Sequence, residues 1–469
     1  MHNSAIIMHE DYPMKIKPIK ELRDTNKISD ECHLSDEPIF ITKNGYQDLV
    51  IMSQETYDKR TSKTTIKKNR KPLDINNKQS DNMGFVKVSC VTPEIKVADT
   101  KYNIELIKQS IIDETNKKTN IVVFPELCLT GYTCGDLFFQ QKLLKETSNA
   151  LTELEKFSEK FEIFFLVGAP IAKDNKLYNC AVAISKGKII AVIPKKYNPN
   201  YNEFYEKRQF IEAPEDNSSI EINGRTYPFG NKFILIDSSC SSLKIGIEIC
   251  EDLWVADTPS TALACNGANV ICNLSASNEL VGKANYRRNL VSMTSARLVC
   301  AYLYCSAGLG ESSTDMVFSG HNIVAENGKI LSESELFSNE TITTEIDLDI
   351  VNQERHKLND FLNDNDGNYE YLYFDLNINK PELTRHYSKN PFIPGGSNVD
   401  INRVNQILKI QAMGLYQRMH SIHCKKAVIG LSGGLDSTLA LIVIIEAYKK
   451  LGLSNDNIIA VTLPAFGTT

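Results

Sequence analysis

The 12 cysteines of this chain include no CxxC pair, which argues against a zinc ribbon or a thioredoxin-like redox centre. No apolar run approaches the ~20 residues needed to cross a bilayer. The opening MHNSAIIMHED has no basic stretch followed by a sustained apolar one, so no secretory signal is read. An excess of positive charge is also missing: the net charge of −6 argues against a general nucleic-acid coat. What remains is a 469-residue chain with 42% hydrophobic and 23% charged residues. That is the composition of a soluble protein too long for one ordinary domain. Its cysteines sit in apolar segments such as Val299-Cys300-Ala301, as reduced thiols of a cytoplasmic protein would.

Residues 1–58 form a first module. Met14 to Arg23 alternates as a strand does, and Glu21 to Ser35 suits a short helix. Pro38 to Ser53 reads as two strands around Asn44-Gly45, with Ser53 as the N-cap of a following helix. IKPIKELR and PIFITKNGYQDLVIMSQETYD resemble Phd/YefM-type antitoxins, which implies dimerisation and contact with operator DNA or a toxin. Residues 59–82 carry Lys59, Arg60, Lys63, Lys67, Lys68, Arg70, Lys71 and Lys78 with almost no large apolar residue, and read as a basic linker. Met83 opens a new pattern, GFVKVSCVTP, and is the expected natural start of the enzyme portion.

From 83 to 350 strands alternate with helices, the latter expected over Tyr102 to Lys117, Leu143 to Phe161 and Lys283 to Leu298. Continuous apolar strands suit sheets covered by helices on one face and by a second sheet on the other. Residues 351–400, rich in Asn, Asp, Pro and Gly, read as a connector. Residues 401–469 give a helix, Arg403 to His420, then strand KKAVIGLS, helix Ser437 to Leu451 and strand NIIAVTLP. Two parallel strands and a helix cannot cover their own apolar faces, so a longer domain is expected.

Three segments deliver reactive groups after strands: NIVVFPE ending in Glu126, IPKKYNP with Lys195, and GIEICEDLW with Cys250. A thiol attacks as thiolate, so it needs a base beside it. Glu126 can take the Cys250 proton and return it to a leaving amine. Lys195 can stabilise an oxyanion, with a backbone N–H near Cys250 helping. The neighbouring Lys196 competes for that role. FPELCLTGY, PKKYNPNYNEFYEKR and GIEICEDLW together resemble the nitrilase, or carbon–nitrogen hydrolase, family. The resemblance implies an α-β-β-α sandwich, the triad Glu126, Lys195 and Cys250, and a supporting Glu206. It places Tyr201, Glu251, Ser275 and Ser277 in a glutamine pocket. Cys128, Cys134, Cys265, Cys272, Cys300 and Cys305 lack such context and are read as packing.

The stretch GLSGGLDST, Gly430 to Thr438, is a strand-turn-helix. Its glycines can aim successive N–H groups into one concavity at a helix N-terminus. Gly430, Gly433, Gly434 and Leu435 frame it, the Ser432 and Ser437 hydroxyls can donate to phosphate, and Asp436 suits contact through Mg²⁺. Without GK[ST] it implies no γ-phosphate transfer. It resembles the PP-loop of ATP pyrophosphatases, at the start of a doubly wound parallel α/β domain. A PP-loop behind a nitrilase-type glutaminase resembles the glutamine-dependent NAD synthetases, as do NLSASNE, PFIP, IQAMGLYQR and VTLPAFGTT. The resemblance implies ATP and Mg²⁺, glutamine and deamido-NAD⁺ as substrates, no tightly bound cofactor, a homo-oligomer, and here a truncated synthetase half. A stand-alone amidase with a vestigial tail is the alternative.

Overall fold

The computed structural model describes residues 15–18, 24–34, 38–43, 46–53, 55–56, 82–361, 368–378, 381–387, 389 and 401–462. The Asn44-Gly45 turn, the basic linker up to residue 81, PFIP at 391–394 and the closing residues from 463 lie outside these. The chain divides into two compact units, Met1–Gln79 and Ser80–Thr469.

In the first unit, strand Lys15–Pro18 runs parallel to Ile39–Lys43, which pairs antiparallel with Tyr46–Ile51. Helix Thr25–Leu34 joins the parallel strands, as a parallel pair requires a crossover. Its core is Ile28, Cys32, Ile39 and Ile41, with Ile51 packed against it. The Thr56 amide donates to Ser53 Oγ at 3.2 Å, the capping bond expected of that serine.

The second unit contains an α-β-β-α sandwich. One sheet has eight strands, in the order Ile342–Asp347, Phe85–Cys90, Ile121–Val123, Phe164–Lys173, Lys176–Ser185, Lys188–Pro194, Arg225–Phe229, Ser218–Ile222. The other has seven: Lys329–Glu333, Ile323–Glu326, Ala301–Ser306, Val270–Ser275, Lys244–Ile249, Phe233–Asp237, Glu370–Phe374. Alternation along a strand explains how both faces are buried. In Phe164–Lys173, Phe164 and Leu166 join Ile247, Ile249, Cys272 and Leu303 in the layer between the sheets. Phe165, Val167, Ala169 and Ile171 face helices Thr100–Asn116 and Gln141–Ser158. Helices Pro259–Cys265 and Lys283–Leu298 cover the outer face of the seven-stranded sheet through Leu263, Ala264, Val291 and Leu298.

The segment read as a connector contributes structure of its own. Helix Leu348–Lys357 runs into it, capped by Asp347. Its EYLYF, Glu370–Phe374, pairs parallel with Phe233–Asp237 and closes the sheet edge. Further on, helix Ile401–Ser421 precedes strand Ala427–Gly430, helix Leu435–Leu451 and strand Ile458–Val461, whose two strands pair in parallel. Val404, Ile407, Ile410, Val428 and Ile459 are exposed there. Among the described residues no helix is long and apolar enough to cross a membrane.

Candidate functional site

Glu126 and Lys195 follow strands Ile121–Val123 and Lys188–Pro194 of the eight-stranded sheet, and Cys250 follows strand Lys244–Ile249 of the seven-stranded one. The turn carrying Glu126 lies directly on the neighbouring strand, because Gly168 leaves room: a methyl there would overlap the Leu127 amide nitrogen. Lys195 follows strand Lys188–Pro194, and its amide donates to the Asn179 carbonyl at 2.8 Å. Cys250 follows strand Lys244–Ile249 in a left-handed conformation, φ 44°, which a residue with a Cβ adopts only under constraint.

The Lys195 ammonium lies 2.7 Å from Glu126 Oε1 and 2.7 Å from Glu206 Oε1, all three groups buried. Tyr132 donates its hydroxyl to Glu206 Oε1 at 2.8 Å, and Asn179 Nδ2 donates to Glu126 Oε1 at 2.6 Å. Glu126 Oε2 is buried with no hydrogen-bond partner, an acceptor left open. Lys196 lies apart, half-exposed, its nearest carboxylate Asp257 at 3.9 Å. Lys195 is therefore the lysine that the fold turns inward.

Burial pushes the Cys250 thiol well up, Glu126 and Glu206 push in the same direction, and Lys195 opposes them. The resting sulfur keeps its proton, and any attack by it would need a base to remove that proton. Burial opposes the charge on Lys195, but Glu126 and Glu206 outweigh it and hold the ammonium well above the ordinary lysine value. Burial raises the Glu206 carboxyl to about 7, against the pull of Lys195 and with a push from Glu126. Cys272 and Cys300 are also buried thiols pushed up by desolvation, but neither feels a lysine. Cys128 and Cys134 are buried free thiols too, Cys305 likewise, and Cys265 is half-buried.

Around this centre, the Tyr201 hydroxyl donates to both oxygens of Glu251 at 2.9 and 3.0 Å. Ser275 donates to Asn273 Oδ1 at 2.7 Å, and its carbonyl accepts the Glu126 amide. Ser277 Oγ accepts from the buried Arg287 at 3.4 Å. A cavity of about 260 Å³ is lined by Tyr132, Glu203, Tyr205, Glu206, Phe210 and Met316.

Sequence reasoning missed several neighbours. Asp252 is a buried strap: its carboxylate accepts the Ile249 amide at 3.0 Å and the Tyr197 amide at 2.9 Å, tying the Cys250 turn to the Lys195 loop. Its place in CEDLW, beside the thiol, was the available signal. Lys283 is half-buried, with its ammonium over the rings of Trp254 at 5.2 Å and Phe204 at 5.7 Å. Burial lowers its pKa, and a thiolate at Cys250 would raise it again. Asn179 is a polar residue inside an apolar strand, a pattern that marks a tied or functional group.

The Gly430–Ser437 loop is largely exposed; the Leu431 amide donates to the Val461 carbonyl at 2.8 Å, and beyond it the turn bonds mostly to itself. Ser432 Oγ lies 3.2 Å from Ser437 Oγ, and the amides of Ser432 and Gly434 each donate to a serine hydroxyl at 3.3 Å. Gly433 has φ +83°, and a methyl at Gly430 or Gly433 would meet open space. Gly434 precedes the first turn of helix Leu435–Leu451, which carries Leu435, Asp436 and Ser437. Among the described residues no group of three or more His, Cys, Asp or Glu could hold a metal ion.

An α-β-β-α sandwich with Glu, Lys and Cys gathered where its two sheets meet defines the class of carbon–nitrogen hydrolases. The carbon–nitrogen hydrolase family model matches residues 87–355, over half of the chain, and the chain belongs to that family. The NAD synthase model matches residues 407–469. Among curated relatives, the glutamine-dependent NAD(+) synthetase of Mycobacterium bovis is 35% identical over 396 residues, covering 82% of this chain and 58% of the relative. That of Aquifex aeolicus is 27% identical over 372 residues, covering 79% and 59%. The crystal structure of a glutamine-dependent NAD(+) synthetase from Cytophaga hutchinsonii matches with a TM-score of 0.50 and 23% identity, over 78% of this chain and 52% of that one. At that identity the likeness is one of fold. The chain spans 58% of the length of the first of these relatives.

Proposed function

We propose that this protein takes ammonia from glutamine at Cys250 and delivers it to an ATP-activated carboxyl of deamido-NAD⁺, as a glutamine-dependent NAD⁺ synthetase. The observation that carries this reading is the match of one chain to both a carbon–nitrogen hydrolase and an NAD synthase family model. In the first half-reaction Cys250 Sγ attacks the glutamine carboxamide carbon. Glu126 accepts the thiol proton and passes it to departing ammonia. Lys195 faces the developing oxyanion, and Glu206, held by Tyr132, keeps Lys195 charged and in place. Water then attacks the thioester, Glu126 takes its proton and returns it to the sulfur, and glutamate leaves. Tyr201, Glu251, Ser275 and Ser277 belong to the glutamine pocket in this reading. The Glu251 carboxylate suits the substrate ammonium and the Lys283 ammonium suits its carboxylate.

In the second half-reaction the turn from Gly430 to Leu435 receives the pyrophosphate of ATP through the N–H groups that follow Leu431, whose own N–H pairs with the Val461 carbonyl, and through the hydroxyls of Ser432 and Ser437. Asp436 is a single carboxylate beside the loop, which fits a Mg²⁺ that draws its other ligands from phosphate and water. Mg²⁺ would supply neutralisation of pyrophosphate charge; the chain's own groups position the nucleotide.

In this reading residues 83–350 are the glutaminase, 351–400 a connector and 401–469 the beginning of the PP-loop domain, in a cytoplasmic homo-oligomer. Residues 1–58, followed by the linker 59–82, are an antitoxin-like module that contacts operator DNA or a toxin. A salt-sensitive gel shift on an upstream palindrome, present with the full chain and lost without residues 1–82, tests that part.

The deciding experiment for the enzyme is glutamine hydrolysis by wild type and Cys250→Ala. Wild type is expected to release glutamate and ammonia and the variant none. Retained hydrolysis in Cys250→Ala sinks the assignment. Turnover of simple amides in preference to glutamine would favour an amidase instead.

A further inference from the structure

On the helix-covered side of the seven-stranded sheet, where Ile271 and Val291 pack, three polar side chains are buried together: Glu248, Asn273 and Tyr302. Polar groups in such a layer are unfavourable unless each finds a partner. Here they form one chain. Glu248 Oε2 accepts the Ser260 amide at 2.8 Å, and Glu248 Oε1 accepts the Tyr302 hydroxyl proton. The Tyr302 oxygen accepts from Asn273 Nδ2 at 3.1 Å. Asn273 Oδ1 accepts the Ser275 hydroxyl at 2.7 Å and the backbone N–H of Cys250 at 3.1 Å.

The chain thus ends on the backbone of the one residue in this loop that is held at φ 44°. Parallel pairing explains the reach: Glu248 stands opposite Asn273 in register, and Ile249 opposite Leu274. Asn273 thereby lies one strand over from the nucleophile turn, with its amide oxygen available to that turn. Glu248, Tyr302 and Asn273 each find a partner inside this run of hydrogen bonds. Its physical consequence is what it holds.

We propose that Asn273, backed by Tyr302 and Glu248, is a positioning residue that fixes Cys250 in its left-handed conformation. The inference rests on the reading of Cys250 as nucleophile. It also removes one candidate from the oxyanion site: the Cys250 N–H is committed to Asn273, so the oxyanion depends on Lys195 and on other amides. Releasing that amide would let the turn relax toward ordinary φ values and swing the sulfur away from Glu126.

The test uses the full chain with Tyr302→Phe, Glu248→Gln and Asn273→Ala. Two quantities are read: kcat and KM for glutamine hydrolysis, and the rate of iodoacetamide alkylation at Cys250 by peptide mass mapping. Tyr302→Phe, which keeps the ring and its packing, is expected to melt near wild type. Its kcat is expected to fall about tenfold, with KM little changed and Cys250 alkylation slowed; Asn273→Ala should lose about a hundredfold. A merely structural role would reduce the amount of folded enzyme but not kcat per folded molecule. Should Asn273→Ala fail to fold, the other two variants decide. Folded Tyr302→Phe and Glu248→Gln with wild-type kcat and wild-type alkylation overturn the proposal. If wild type hydrolyses no glutamine but its Cys250 is alkylated faster than that of Tyr302→Phe, the substrate reading fails and the positioning inference stands.

Discussion

Around Lys195 the reactive groups are buried and their bonds join segments far apart in the chain; around Ser432 they are exposed and their bonds span five residues or fewer. Lys195 lies 2.7 Å from Glu206, 11 residues on, and 2.7 Å from Glu126, 69 residues back. Ser432, Gly434 and Ser437 bond to one another, and Gly434 also to Thr438, all within a single turn and the helix start that follows it. In the first region reactivity is a product of tertiary packing, which shifts pKa values by desolvation and by forced proximity. In the second it is a product of local backbone shape and a helix N-terminus, which need no core. Substitutions should therefore cost both activity and stability in the first region, and little stability in the second.

The strongest way to break this contrast is Lys195→Ala. Removing the ammonium leaves Glu126 and Glu206 buried without their shared cation, a loss of about 3–5 kcal/mol. Glutamine hydrolysis should fall about a thousandfold as the oxyanion loses its charge partner. Lys196→Ala, one residue on and half-exposed, should leave thermal unfolding and kcat close to wild type. Equal effects of the two substitutions would mean that burial does not distinguish them.

Next in size is Gly168→Ala. The added methyl has no room against the Leu127 amide, so the Glu126 turn must move outward. Overpacking of this kind costs about 1–3 kcal/mol, and a shift of the base by an ångström costs about a hundredfold in kcat. A folded Gly168→Ala enzyme with wild-type kcat would show that the Glu126 turn does not depend on this close approach.

How much of this was legible in the sequence follows the same division. The loop from Gly430 could be read whole, because its geometry is local: glycines, two serines and a helix start within eight residues. Helix Lys283–Leu298 was equally plain. Glu126, Lys195 and Cys250 stood out because each ends a short apolar run inside a distinctive motif. Lys195 and Lys196 compete in the sequence, because the inward turn of Lys195 is a matter of strand pleat. Asn179 and Asn273 were illegible as site residues, since their partners are set by inter-strand register. EYLYF, in a segment otherwise polar, pairs with a strand that begins at Phe233; nothing near it in sequence announces that partner. The hairpin Ser218–Phe229 carries an Asn223-Gly224 turn, as legible a signal as Asn44-Gly45.

A smaller effect should appear in the pH dependence of stability. The Glu206 carboxyl titrates at about 7 in the folded protein, against an ordinary value of 4.5, mainly because it is buried. Between these values the native protein retains a proton that the unfolded chain has released. Its stability therefore falls as pH rises through that window. Glu206→Gln removes the titration, so the difference in unfolding midpoint between wild type and variant should change steadily from pH 4.5 to 7 in the direction of wild-type loss. A constant difference across that range would mean that Glu206 does not carry the shifted proton. Asp252, raised by burial to about 7, adds a loss of the same sign in the wild type and the variant alike.

The smallest effects belong to the exposed loop. Ser437→Ala removes a hydroxyl that bonds Ser432 and the Gly434 carbonyl, all in solvent reach, where water replaces lost bonds. The expected change in stability is within about 0.5 kcal/mol. Gly433→Ala meets no neighbouring atom and loses no packing; it is the exception in this loop, because φ +83° costs a residue with a Cβ about 1–2 kcal/mol of backbone strain. Both variants should hydrolyse glutamine at the wild-type rate, since neither touches the buried centre. Loss of nucleotide binding alongside intact hydrolysis would separate the two regions functionally. A parallel fall in glutamine hydrolysis would instead require that the exposed turn and the buried thiol are coupled, and the contrast between them would fail as a description of how this chain works.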